Sequence, residues 1–210
     1  MIDRALNIET AEKVDITNFG LDGTNRSGYE AASWLDLRRV LSPAEVSQDD
    51  VFVDLGSGKG RVVLLAARYP FKRVIGVELA ERLTAIARRN VANCRARLRC
   101  RDIELVTEDV VGYRIPDDVT VVFLYNPFQG PILDAAVANL IASVDRRPRT
   151  VRVIYRADAR HDRLIPTGRF RLVRVSLGVR PGRAWREATA VRLYALDPAR
   201  AASAAATRGE

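Results

Sequence analysis

Seven residues, Asp54-Leu55-Gly56-Ser57-Gly58-Lys59-Gly60, lie between a short apolar run, Val51-Phe52-Val53, and a longer one, Val62-Val63-Leu64-Leu65-Ala66-Ala67. Glycine at every second position lets the backbone turn sharply and approach a ligand closely. The run before the loop suits a buried strand ending at Asp54. The run after it, over 61–68, is apolar on every side and suits a helix packed between other elements. The rhythm then repeats. Strands are expected over 74–77, 103–106, 119–125 and 151–155. Helices are expected over 81–92, with Leu83, Ile86 and Ala87 inward, and over 131–144, with Pro131 in its first turn and Leu133, Val137, Leu140 and Val144 in a stripe. Such alternation implies an α/β fold with a parallel sheet, covered on both faces and joined by right-handed crossovers. After 155 the pattern becomes all strand. Runs over 170–177 and 190–196, linked through Pro181-Gly182, predict an antiparallel hairpin.

Three regions follow: an N-terminal extension over 1–50, a core over 51–198, and an alanine-rich tail over 199–210 expected to be disordered. Within the extension, Gly20, Gly23, Asn25 and Gly28 suggest loop. The segment 29–41 reads as a lid helix with Trp34, Leu37 and Leu41 on one face, closed at Ser42-Pro43. An apolar fraction of 48% fits a chain that buries a core. No stretch approaches eighteen apolar residues, and 1–15 has no apolar leader, so a membrane partner is not expected and the cytoplasm is.

Cys94 and Cys100 do not have zinc-ligand spacing and His161 stands alone, so no metal site is expected and the thiols read as reduced. The net charge of +8 admits a nucleic-acid partner. Against that, the arginines are scattered and no aromatic residues interleave them. The densest run, Arg95, Arg97, Arg99 and Arg101, reads as a solvated loop or helix end.

Spacing separates the ligands such a loop can hold. A phosphate-binding loop needs Gly-x-x-x-x-Gly-Lys-Ser/Thr, but Val53 stands where its first glycine belongs and Gly60 follows Lys59. A dinucleotide loop needs Gly-x-Gly-x-x-Gly, but position 61 is arginine. What remains, Gly-x-Gly-x-Gly after an acid-terminated strand, resembles motif I of the class I S-adenosylmethionine-dependent methyltransferases, which have a Rossmann-like sheet of seven strands. The resemblance implies that Gly56, Ser57, Gly58 and Gly60 cradle the amino-acid end of S-adenosylmethionine, with Asp54 acting on its amino group or through water. That ligand carries no phosphate, so Lys59 reads as a solvent-exposed loop residue. Glu78, at the end of the second strand, is placed to accept from both ribose hydroxyls, or else to cap the next helix with Glu81. Asp109 and Val110, after the third strand, would meet the adenine amino group and ring, or else form a cap. Three acids at three successive strand ends strengthen the cofactor reading.

Methyl transfer from a sulfonium is an in-line displacement, so the protein's work is positioning and charge management. At the end of the fourth strand, Asn126-Pro127-Phe128 resembles the Asn/Asp-Pro-Pro-aromatic motif of amino-methyltransferases, with one proline where that motif has two. The resemblance gives Asn126 the role of orienting the acceptor nitrogen and Phe128 that of packing on it; a tight turn is the alternative. The chain from Glu30 through Gly130-Pro131 also resembles the catalytic domain of the non-SET, disruptor-of-telomeric-silencing type of lysine methyltransferases. Its upstream Tyr-Gly-Glu element is here Gly28-Tyr29-Glu30, which implies that Tyr29 and Glu30 fold over the cofactor. Small bacterial methyltransferases share the outline. The expected acceptor is an amine nitrogen of a protein or small molecule. An RNA methyltransferase and a non-catalytic cofactor-binding module are the alternatives, and a nicotinamide-dependent dehydrogenase fits the glycine spacing poorly. Trp34 is expected in the core, and Trp185 near the substrate entrance.

Overall fold

A computed structural model describes residues 2–15, 28–125, 128–156, 163–178, 187 and 190–199. His161, Trp185, Asn126, Pro127, the turn at Pro181-Gly182 and the tail over 200–210 lie outside the described residues.

Seven strands form one sheet: β1 (Val51–Leu55), β2 (Arg73–Glu78), β3 (Ile103–Thr107), β4 (Val121–Tyr125), β5 (Val151–Arg156), β6 (Phe170–Ser176) and β7 (Val191–Leu196). Their order is β3-β2-β1-β4-β5-β7-β6. The first five are parallel, and β7 pairs antiparallel with both β5 and β6. This is the expected α/β sheet. Chain order reverses between β1 and β4, which opens a crevice at the carboxyl ends of those strands, where open α/β sheets bind ligands.

Strand alternation sorts the core into two halves. Val51, Val53 and Leu55 of β1, Val122 and Leu124 of β4, and Val153 of β5 pack toward α5 (Gly130–Arg146), meeting Leu133, Val137 and Leu140. Phe52, Val74, Val121, Phe123 and Ile154 pack on the other face with α2 (Asp36–Val40), α3 (Arg61–Ala66) and α4 (Glu81–Cys94). The core strands are buried at nearly every position, as expected of a sheet covered on both sides.

The extension differs from its expectation. A short helix, α1 (Ile2–Leu6), opens the extension, where the sequence has no clear period; Gly20, Gly23 and Asn25 lie outside the described residues. The lid helix expected over 29–41 is reduced to α2. Residues upstream are extended because Tyr29 pairs with Val14, each N–H donating to the other's carbonyl at 2.7 and 3.1 Å. Helix begins only after a turn in which the Asp36 carboxylate accepts from the Ser33 N–H at 3.0 Å. Pairing across the chain has overridden a local helical period. Pro43 starts a single 3-10 turn (Pro43–Glu45), with Ser42 and Glu45 capping each other's backbone.

Candidate active site

The glycine loop leaves β1 and is tied to β2: the N–H groups of Gly56 and Ser57 both donate to the Val77 carbonyl at 2.9 Å. Gly58 and Gly60 have φ of +53° and +80°. A side chain at Gly58 would start 2.3 Å from the Tyr29 ring, and one at Gly60 would start 2.9 Å from the Ala87 Cβ. Gly58 therefore admits Tyr29 over the loop, and Gly60 lets the loop close on α4.

Glu78 ends β2 beneath this loop. One carboxylate oxygen accepts from the Gly58 N–H and the other from the Ala80 N–H, each at 2.9 Å. Each oxygen keeps a second lone pair, so the group can hold the loop and still accept from a diol. Asp54, in β1, is buried. Burial pushes its carboxyl well above the ordinary range, and neighbouring Glu78 pushes the same way. Glu78 is itself raised by desolvation, against the opposing pull of the Ala80, Gly58 and Leu79 N–H groups. Two carboxyls sharing an enclosed space are unfavourable when both ionise, and a cation or hydroxyl donors placed between them would relieve this. The Ser57 hydroxyl is buried against Gly76 of β2 and has no hydrogen-bond partner among the described residues. A polar, hydrogen-bond-hungry cradle of this kind fits the amino-acid and ribose ends of S-adenosylmethionine.

The other expected residues lie in different settings. Asp109 forms a turn after β3, its carboxylate accepting from the Val111 N–H at 3.0 Å, so it caps no helix. Val110 is buried in the core on the α5 side. Glu30 is exposed and pairs with Lys13 at 2.9 Å, whereas Tyr29 lies on the loop. Phe128 is buried in the same core as Leu124 and Leu133.

Several residues near the crevice have no local signature. Lys59, expected in solvent, is 1% exposed; its ammonium donates to Glu9 at 2.9 Å and lies 5.5 Å from the Tyr29 ring centroid. Trp34, expected in the core, is only partly buried and lies under the Arg61 guanidinium at 4.9 Å. At the end of β4, Tyr125 is covered by the Arg156 guanidinium at 4.3 Å. Buried Asp36 sits 3.5 Å from that guanidinium and 3.0 Å from Arg39. Burial pushes the Tyr125 phenol up, with Arg156 opposing. Among the described residues no three His, Cys, Asp or Glu side chains gather as metal ligands.

The family model for the histone methylation protein DOT1 matches residues 28–156, more than half of the chain. A histone-lysine N-methyltransferase, H3 lysine-79 specific, of Drosophila melanogaster is 30% identical over 132 residues, covering 59% of this chain and 7% of that protein. A protein-lysine N-methyltransferase of Saccharolobus islandicus is 48% identical over 44 residues, covering 20% of this chain and 27% of that protein. The chain thus spans only a small part of the relatives' length. Among solved structures, an RNA methyltransferase from Salinibacter ruber in complex with S-adenosyl-L-homocysteine superposes with a TM-score of 0.53 at 23% identity. The match covers 80% of this chain and 94% of that one, a likeness of fold.

Proposed function

From the premise that the chain belongs to the histone methylation protein DOT1 family and has the class I methyltransferase fold, we propose that it transfers a methyl group from S-adenosylmethionine to an amine nitrogen of a protein or small molecule. The observation that carries this reading is the pair of acids at the glycine loop: Asp54, buried in β1 beside the reversal of strand order, and Glu78 at the end of neighbouring β2, partly buried and bonded to the Gly58 N–H. Bound S-adenosylmethionine would supply an electrophilic methyl on a sulfonium, which an amine lone pair attacks in line. The loop residues Gly56, Ser57, Gly58 and Gly60, with Asp54, hold the amino-acid end. Glu78 accepts from the ribose hydroxyls, and Asp109 with Val110 meets the adenine. Tyr29 closes the loop side, and Glu30 stands at its outer edge.

The acceptor enters at the end of β4, where Asn126 orients its nitrogen and Phe128 backs the wall. Burial there keeps water from competing for the nitrogen's lone pair and strengthens each positioning hydrogen bond. An aliphatic amine must lose a proton before it attacks, whereas a nucleobase amino group arrives neutral. A rate that rises tenfold per pH unit below the amine pKa therefore marks a lysine-like acceptor. Cys94 and Cys100 are free and buried, which favours a reducing compartment such as the cytoplasm. Among the described residues no helix is long and apolar enough to cross a membrane.

Calorimetric titration with S-adenosylhomocysteine tests the cofactor assignment. Binding by the native protein that is lost in Glu78→Ala is the expected result, and no binding by folded native protein overturns it. Labelled methyl donor offered with amine-bearing peptides, small amines or RNA then identifies the acceptor. Binding without transfer to any of them would leave a cofactor-binding module.

One observation favours RNA as the acceptor. Arg95, Arg97, Arg99 and Arg101 are all exposed and form no ion pairs among the described residues, while buried Leu98 and Cys100 fix the turn that displays them. Several other exposed arginines face carboxylates, as in Arg163–Asp134 and Arg171–Asp197. On this reading, replacing Arg95, Arg97 and Arg99 with Gln lowers the slope of log affinity for a nucleic-acid duplex against log salt by about 2–3. The same loss of charge at Arg114, Arg163 and Arg171 leaves the slope unchanged. Equal effects of the two triple variants would remove the argument for RNA.

A further inference from the structure

We infer that Lys59 and Arg61 are positioning residues for the methyl-transfer reaction: they clamp residues 2–15 across the glycine loop, so that docking of this segment and cofactor binding become one coupled event. The inference rests on the cofactor reading above, and it goes further by making the N-terminal segment a working part of the site.

The clamp has three ties. The first is Lys59, which emerges from the middle of the loop, turns inward, and ends between Glu9 at 2.9 Å and Glu12 at 3.7 Å. A buried ammonium is costly unless paired, so this side chain favours the state in which the segment is down. The second is Arg61, the first residue of α3. Its Nε donates to the Thr10 hydroxyl at 2.8 Å, its Nη1 donates to the Ala32 carbonyl at 2.9 Å, and Asp3 lies 3.6 Å away. The third is Asn90 of α4. Its amide nitrogen donates to the carbonyls of Glu9 at 3.1 Å and Lys59 at 2.9 Å, and its oxygen accepts from the Glu9 N–H at 2.9 Å. Loop, segment and helix therefore share one buried side chain.

The segment in turn holds Tyr29. The Tyr29 hydroxyl donates to the Thr10 carbonyl at 2.7 Å, and its backbone pairs with Val14. The ring rests on Gly58, whose N–H is bonded to Glu78. A continuous line of contacts thus runs from Glu9 and Glu12, which are 52% and 76% exposed, to the carboxylate expected to grip the ribose. Releasing the acidic ends frees Lys59 and Tyr29 and loosens the loop. A loop held in its binding shape loses less entropy on binding, so the clamp raises cofactor affinity by preorganisation.

The test uses the full chain and S-adenosylhomocysteine, with calorimetry, dissociation rates and hydrogen exchange. Glu9→Gln with Glu12→Gln alters only exposed carboxylates and is expected to leave folding intact. The predicted result is affinity weakened about tenfold, carried by faster dissociation at unchanged stoichiometry. Loss of folded protein would instead lower the stoichiometry at unchanged affinity. Because this ligand carries no net charge, salt should weaken its binding to the native protein through the clamp, and the double variant should lose that salt dependence. Lys59→Met, which removes the buried charge but keeps the volume, should bind with the same reduced affinity. The ligand should slow amide exchange over 2–15 in the native protein and leave it unchanged in both variants. Native-like affinity in the double variant, or no ligand protection of 2–15 in the native protein, overturns the clamp while the cofactor assignment stands. No binding by the native protein overturns both.

Discussion

The carboxyl ends of β1 and β2 and the outer strand β6 use similar residue types to opposite effect. At the glycine loop, Asp54 and Lys59 are buried and Glu78 is partly buried; Lys59 is held 2.9 Å from Glu9, and Glu78 2.9 Å from the Gly58 N–H. Along β6 only Phe170 is buried. There Arg169, Arg171 and Arg174 reach out to Asp145, Asp197 and Glu45, and Leu172, Val173 and Val175 are exposed beside them. Enclosing a charge costs several kcal/mol before any partner repays it, whereas a solvated ion pair gains about 0–1 kcal/mol. The loop therefore tolerates few substitutions and the edge strand many. Enclosed charge, rather than the number of charges, marks the working end of this molecule.

The largest effect is expected from Glu78→Ala, which removes the diol acceptor together with the bond to the Gly58 N–H in the loop and the bond to the Ala80 N–H at the start of α4. Affinity for S-adenosylhomocysteine should fall by at least about 100-fold by calorimetry, since several charge-assisted hydrogen bonds go at once. Glu78→Gln, which keeps one acceptor oxygen, should lose less; equal loss in the two would mean that charge alone matters there.

Gly58→Ala comes next. The new methyl meets the Tyr29 ring and the residue keeps a positive φ, so unfolding free energy should drop by about 1–3 kcal/mol in denaturant titrations. Combining it with Tyr29→Ala removes the clash but not the backbone strain, so partial recovery is expected. Full recovery would assign the whole cost to the ring.

The raised carboxyls set a pH dependence of smaller size. Asp54 and Glu78 hold protons more tightly in the folded protein than in the unfolded chain. Their contribution to stability is therefore fully present below the ordinary carboxylate pKa of about 4, and it is lost as pH rises through their folded values. Thermal unfolding of the ligand-free protein should show this loss, and Asp54→Asn should flatten it. Binding of a ligand with an ammonium group should run the other way, strengthening with pH over the same window and releasing protons, which buffer-dependent calorimetry measures. Ligand binding insensitive to pH there would separate these carboxyls from the amino group.

The smallest effect belongs to β6. Arg171→Gln and Val173→Thr should each shift stability within about 0.5 kcal/mol, because both side chains are exposed. A larger change at Val173 would show that the edge carries more of the fold than its exposure suggests.

Much of this was legible in the chain. Apolar runs punctuated by a glycine loop and strand-end acids gave the alternating fold and the position of the loop, with Asp54, Glu78 and Asp109 in, at or just after the carboxyl ends of three neighbouring strands. These signals are local: strand period, turn chemistry and the charge at a strand end are written within a few residues of one another. Asn126 was read in the same way and lies outside the described residues. The residues that were misread depend on distant partners. Lys59 looks like a surface lysine until Glu9 and Glu12 arrive from fifty residues upstream to neutralise it. The helix expected over 29–41 is shortened to α2, because Tyr29 pairs strand-like with Val14. Trp34 packs under Arg61 instead of inside the core.

The sequence by itself determined the order of elements, the faces they bury and the loop that faces the crevice, because each follows from periodicity and backbone freedom. Only the tertiary structure decided which charges are enclosed and what holds them. The cost of burying an ion depends on every group within several ångströms, and those groups are brought there by the fold.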